Sequence, residues 1–230
     1  MLALGGAGLL TLSVAQAATI NWTGQGTISD NTFLSLAGTT ANEVYGVDFN
    51  GVGSVTTANG YSFGSGNFTI AGGGSGYNGY LNGQTSGDAS LNTLLANGNY
   101  GNTSDNPGTL LNLTIGLTYN VLAFIDDNRA GAAGGTLFRV NDGTANSPTQ
   151  LYGTYGSTAG NPLGGYLLGT FTADATTQAF TVNNNGQDGS FGSNAQYNGI
   201  LLEVAPVPEP TTFALVGGGL TLLMALRRKK

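Results

Sequence analysis

The one dense charged stretch in the body of this chain is Asp126-Asp127-Asn128-Arg129. Carboxylate and carbonyl oxygens are what Ca²⁺ takes, so the stretch suits a calcium site or a contact to sugar hydroxyls at a strand end. Its spacing departs from the EF-hand loop, which needs ligands at alternating positions and a distal Glu. The plainer reading is a polar exit from a strand with an Asp–Arg pair. Asp126 and Asp127 are therefore the candidate metal ligands, and calcium is the one cofactor to look for. Asn183-Asn184-Asn185-Gly186-Gln187-Asp188 is also rich in oxygen, but Asn and Gly tolerate positive φ and read as a turn.

Two other chemistries come from scattered residues. Glycoside hydrolysis needs two opposed carboxylates at a set separation. Asp126 and Asp127 are chain neighbours and on a strand would point to opposite faces. The remaining acids stand singly, at Asp30, Glu43, Asp48, Asp88, Asp105, Asp142, Asp174, Asp188 and Glu203. No catalytic set follows, and an enzyme is not expected. Carbohydrate binding is the alternative. Tyr77, Tyr80, Tyr100, Tyr152, Tyr155, Tyr166 and Tyr197 lie near Gly-rich segments. Such rings stack on sugar faces, or sit half-buried at sheet ends with the hydroxyl in water.

Absent residue types exclude more. The chain has no Cys and no His. Disulfides, thiolate nucleophiles, thiolate or imidazole metal sites and a Ser-His-Asp triad all fall away. Charged residues make up 8% of the chain, against roughly 25% ordinarily. There are 40 glycines in 230 residues, far above the usual ~7%. Ten Tyr and ten Phe still argue for a packed core rather than a disordered chain. Residues 18–207 carry eleven acids against Arg129 and Arg139 alone. So acidic a body does not suit nucleic acid, whose phosphates need a basic surface.

The elements that must position these residues read as strands separated by Gly, Asn and Asp turns. Strands are expected to begin at Ile20–Trp22 and to cover Glu43–Asn50. Others fall within Ser54–Ile70, around an Asn59-Gly60 turn. Gly72–Gly87 reads as a loop. Asp88–Leu95 is the one helix candidate, capped by Asp88 or Ser90, with Leu91, Leu94 and Leu95 on one face. Asn97-Gly98 ends it. Leu117–Asp126 is apolar on both faces near its middle, which predicts a central buried strand. Further strands are expected at Thr136–Val140, Gln150–Tyr155, Tyr166–Thr172, Gln178–Val182 and Asn198–Val204, with a turn at Asn141-Asp142-Gly143. About nine to eleven strands without βαβ alternation predict an all-β sandwich. The order from Leu117 through Val204 resembles jelly-roll domains of the galactose-binding-like type.

Both ends differ from the body. Met1 to Val14 is apolar and small, and Ala15-Gln16-Ala17 is an A-x-A site that predicts signal-peptidase cleavage after Ala17. The usual Lys or Arg ahead of such a segment is missing. At the other end, Thr211 to Leu226 is an uncharged run, about 24 Å long as a helix. That is short for a bilayer core of about 30 Å, and snorkelling from Arg227, Arg228, Lys229 and Lys230 makes up part of the difference. The same cations would stay cytoplasmic and leave the body outside. Ahead of the run, Pro208 and Pro210 hold Glu209 in an extended backbone, open to a processing enzyme.

Pro208-Glu209-Pro210, a short apolar helix and a basic end, in that order, resemble the PEP-CTERM sorting signal of Gram-negative bacteria. The resemblance covers residues 207–230. It implies a membrane exosortase as processing partner, transient anchoring by the helix, and export across the inner membrane to the cell envelope, surface or extracellular matrix. It also implies a role in biofilm or exopolysaccharide. The expected organisation is a signal peptide at 1–17 and a β-sandwich at 18–203. A linker at 204–210 and a transmembrane helix with basic tail at 211–230 complete it.

Overall fold

The computed structural model describes residues 18–50, 53–71, 75–81, 83–101, 105–128, 137–141, 149–152, 163–183 and 195–206. In chain order the first strands are β1 (Asn21–Ile28), β2 (Glu43–Asp48), β3 (Val55–Thr56), β4 (Ser62–Gly64), β5 (Phe68–Ile70) and β6 (Ser75–Asn78). The helix α1 (Ala89–Ala96) follows, then β7 (Asn97–Tyr100), β8 (Asp105–Leu110) and β9 (Thr118–Ile125). The last are β10 (Leu137–Asn141), β11 (Thr149–Tyr152), β12 (Gly164–Thr172), β13 (Gln178–Asn183), β14 (Gln196–Tyr197) and β15 (Gly199–Val204).

A seven-stranded sheet in the order β1-β12-β9-β15-β2-β4-β3 faces a five-stranded sheet, β11-β10-β13-β8-β5, with β14-β7-β6 as a small third sheet. The result is a mostly β, sandwich-like architecture with one short helix. Every pairing is antiparallel except β2 with β4.

Alternation along β9 explains why it lies in the middle. Tyr119, Val121, Ala123 and Ile125 join Ile200 and Leu202 of β15, Leu167 of β12 and Phe180 and Val182 of β13 in the core between the two large sheets. Leu122 and Phe124 point the other way. There they meet Leu201, α1 through Leu91, Leu94 and Leu95, and a 3-10 turn over Asn31–Leu36 through Phe33 and Leu34. A strand apolar on both faces needs a cover on each, and the chain supplies both. α1 is capped as its sequence predicts: the Asp88 carboxylate accepts from the Ser90 and Leu91 amides at 2.9 and 3.2 Å.

One expectation needs correction. The glycine-rich 72–87 segment is not all loop, because β6 lies inside it and pairs with β7. Asn97-Gly98 ends the helix as expected, and it also opens strand β7. Asn59-Gly60 lies, as expected, between two antiparallel strands, β3 and β4, in a five-residue connection closed by the Thr57 amide donating to Tyr61 O at 2.9 Å. Among the described residues no helix is long and apolar enough to cross a membrane. The segments at 1–17 and 207–230 lie outside those residues, and with them Ala15, Ala17, Pro208, Glu209, Pro210 and the four terminal cations. So do Arg129, Asp142-Gly143, Tyr155 and the 184–188 stretch.

Candidate functional site

The expected metal ligands sit just past the end of β9, at the expected strand exit, and are buried there. Asp126, Asp127 and Asn128 are 0%, 3% and 0% exposed. They do not alternate between faces, since the strand ends at Ile125. A polar buckle holds them. The Asp126 amide donates to Asn198 Oδ1 at 2.8 Å, and Asn198 Nδ2 donates to the carbonyls of Leu95 and Asn97 at 2.8 and 2.9 Å. Gln196 Nε2 donates to the Asp126 carbonyl. Asn128 Nδ2 donates to Asp126 Oδ1 at 2.7 Å and to Leu163 O at 3.3 Å, while its amide reaches Tyr80 O at 2.7 Å. One strand end is thereby tied to α1, β7, β14 and β15.

Burial, and then the neighbouring Asp127, push the Asp126 carboxyl well above the usual range. Asp126 Oδ2 and Asn128 Oδ1 are buried acceptors without a hydrogen bond. They are the oxygens a cation would use, together with Asp127. Among the described residues no group of three acidic, His or Cys side chains converges here or elsewhere. The arrangement falls short of the six to eight oxygens that Ca²⁺ takes.

A second polar group, which nothing in the residue pattern announces, lies at the opposite end of the same sheet. Glu203 of β15 lies directly across from Glu43 of β2. Strict alternation would put Glu43 on the inter-sheet face with Tyr45 and Val47. The register skips Val44 between the pairs Leu202–Tyr45 and Glu203–Glu43. This β-bulge turns Glu43 to the outer face, beside Glu203. Asn120 of β9 and Thr170 of β12 continue the row: Thr170 Oγ1 donates to Asn120 Oδ1 at 2.9 Å, and Asn120 Nδ2 donates to Ala37 O at 2.6 Å.

Glu203 is fully buried, and neither carboxyl oxygen makes a hydrogen bond of good geometry. Burial, then the Glu43 charge, push it up to about 7; the nearby Tyr61 hydroxyl and the Thr39 backbone offset part of the rise. Burial raises Glu43 as well, against the Ser62 amide donating to its carboxylate. At the far end of β2, Asp48 has no hydrogen bond on either oxygen, and burial pushes it up to about 6. A carboxyl poised near 7 beside a second carboxylate is the electronic arrangement of a general acid. Access is missing. The backbone at Gly38 lies against Glu203 Oε2 so closely that any Cβ there would collide with it.

The tyrosines separate. Tyr80 and Tyr197 are core residues, and Tyr197 donates to Asn106 O at 2.7 Å. Tyr77 is exposed and meets Tyr80 edge-to-face at 4.7 Å. Tyr100 and Tyr166 are half-buried. The side chains of Tyr152 and Tyr155 lie outside the described residues.

No family model matches this chain, and no curated protein matches it. Among solved structures it is similar to the ANXUR1 extracellular domain from Arabidopsis thaliana at 11% identity and a TM-score of 0.43, over 73% of this chain and 51% of that one. The ANX1 ectodomain from the same plant matches at 11% identity and a TM-score of 0.44, over 74% and 52%. The chain thus spans about half the length of the structures it resembles.

Proposed function

We propose that this chain is an exported, non-enzymatic surface or extracellular-matrix protein of a Gram-negative bacterium, with a β-sandwich as its working part and removable addresses at its ends. The observation that carries this reading is where the fold closes. β15, the last strand among the described residues, fills the middle of the seven-stranded sheet between β9 and β2. The Ala205 amide then donates to Thr118 O at 2.9 Å, and residues 207–230 begin two positions later. Every pairing described for the seven-stranded sheet is made by residues ahead of residue 207, which supports reading the Pro208-Glu209-Pro210 tail as a substrate for exosortase. At the other end the first described residue, Ala18, already donates its amide to Asp174 Oδ1 at 3.1 Å. Cleavage after Ala17 would leave that contact in place.

The jelly-roll form fits the strand order. From β8 onward the chain passes repeatedly between the two large sheets: β8 in the five-stranded sheet, β9 in the seven, β10 and β11 in the five, β12 in the seven, β13 in the five, β15 in the seven. The two closed polar groups, around Asp126 and around Glu203, read as structural and not catalytic.

Intact-mass measurement of the protein recovered from its native host tests the proposal. The expected mature species starts at Ala18 and lacks the basic end, Arg227 to Lys230. A full-length chain recovered from the cytosol overturns it.

A further inference from the structure

The outer face of the seven-stranded sheet carries an open cleft at its β1–β12 edge, of about 240 Å³. Ser29, Asp30, Thr32, Phe33, Leu36 and Tyr166 line it, with Thr27 of β1 alongside. The Tyr166 ring lies flat against Phe33, at 5.7 Å and 25° between planes. It can lie there because β1 has Gly26 opposite, where a Cβ would come within 2.6 Å of the Tyr166 hydroxyl oxygen. Leu36 is 49% exposed and offers its side chain to the cleft.

Two hydroxyls beside this apolar wall, those of Ser29 and Tyr166, form no hydrogen bond with the described residues. Asp30 is solvent-accessible, and its Oδ1 is held by the Thr32 hydroxyl and amide, at 2.5 and 2.8 Å. Those bonds, the hydroxyl first, keep its carboxyl below the usual range, so it stays ionised. An apolar wall with a half-buried aromatic, two unspent hydroxyls and one fixed anionic acceptor match a ring with one C–H face and several outward hydroxyls.

We infer that this cleft binds a single neutral pyranose, its C–H face on Tyr166 and Leu36 and its hydroxyls on Asp30 and Ser29. The carboxylate disfavours sugar acids. The volume lies below the roughly 300–1,000 Å³ of drug-sized pockets, which limits the site to one ring. A shallow site of this size gives a dissociation constant on the order of millimolar. The inference concerns binding alone and is independent of the export route.

Saturation-transfer NMR on the purified full-length chain decides it, with glucose, galactose, mannose and N-acetylglucosamine as probes and glucuronate and galacturonate as their charged counterparts. At least one neutral sugar is expected to receive saturation, with both uronates at least tenfold weaker. Leu36→Asp changes an exposed side chain and is expected to abolish the transfer; Tyr166→Phe keeps the ring contact and is expected to retain most of it. Asp30→Asn keeps a capping side chain and is expected to narrow the gap to the uronates. Absence of transfer from all four neutral sugars at tens of millimolar, with the protein folded by its amide spectrum, overturns the inference. Transfer that survives Leu36→Asp, or equal transfer to uronates, does the same. None of these results bears on the mass measurement that tests export.

Discussion

The two faces of the seven-stranded sheet are built from the same strands and do different work. The face toward the five-stranded sheet is uniformly apolar along β9 and β15: Tyr119, Val121, Ala123, Ile125, Ile200 and Leu202. The outer face is apolar only in the middle, at Leu122, Phe124 and Leu201. Toward its ends it buries carboxyls, with Asp48 and Asp126 at one end and Glu203 at the other. The inner face can be filled by alternation alone. The outer face is covered by irregular pieces of chain, a 3-10 turn, a short helix and the Gly38 segment, whose own polar groups must be met. Buried polar side chains collect where the cover is irregular.

If both faces are true cores, a large deletion on either should cost alike. Phe180→Ala on the inner side removes contacts to Trp22, Phe68 and Tyr197. Phe124→Ala on the outer side removes contacts to Phe33 and Phe63. Each is expected to lower unfolding free energy by about 3–5 kcal/mol in a urea titration. A loss below about 1 kcal/mol for Phe124→Ala alone would make the outer layer a loose cover and break the symmetry. Next in size is Asn198→Ala. It leaves the Asp126 amide and the Leu95 and Asn97 carbonyls without their partner, at about 3 kcal/mol. A near-neutral result would mean that water replaces the side chain and that the buckle is wet.

The middle of the seven-stranded sheet and the helix over it were legible in the sequence, whereas two short strands and the polar ends of the outer face were not. β9 could be read because apolar residues occupy both alternations, and α1 because Asp88 precedes three leucines on one face. β6 is Ser-Gly-Tyr-Asn and lacks the β-branched residues that mark a strand. β8 contains Pro107, which argues against an interior strand. It is tolerated because β5 ends at Ile70 opposite Gly108, and the Ala71 amide donates to Pro107 O at 2.9 Å, so the missing N–H falls beyond the ladder. The Glu43–Glu203 pair was hidden by the bulge at Val44. Period-two alternation places Glu43 on the wrong face, and no local residue announces the slip.

The buried carboxyls give the outer face a pH signature that the inner face lacks. Glu203 is raised from 4.5 to about 7 and Asp48 from 3.8 to about 6, each by burial first. The folded state therefore holds these protons more tightly than the unfolded chain does. Their contribution is fully present below the unfolded values and is lost as pH rises through the folded ones. Thermal midpoints are expected to be highest near pH 4, to fall up to about pH 7, and to level off above. Glu203→Gln should flatten the upper part of that fall and stabilise the protein at pH 8 by about 1–2 kcal/mol. The effect should be close to nil at pH 4. A profile that rises from pH 4 to 7 would show that Glu203 has an ionised partner, and the outer face would then be no worse served than the inner.

An exposed carboxylate sharpens the contrast from the other side. Asp174 accepts the Ala18 amide at 3.1 Å in an exposed position. Water solvates its charge whether or not the contact forms, so Asp174→Asn is expected to change stability by under about 0.5 kcal/mol in a chain that retains Ala17. In a chain beginning at Ala18 the donor becomes an ammonium, and the contact becomes an ion pair that salt screens. The effect of Asp174→Asn in that chain should be somewhat larger at low ionic strength and shrink in 1 M salt, whereas the Glu203→Gln effect should hardly move. Equal salt sensitivity at the two sites would mean that ions reach Glu203, and that the Gly38 segment does not seal the outer face.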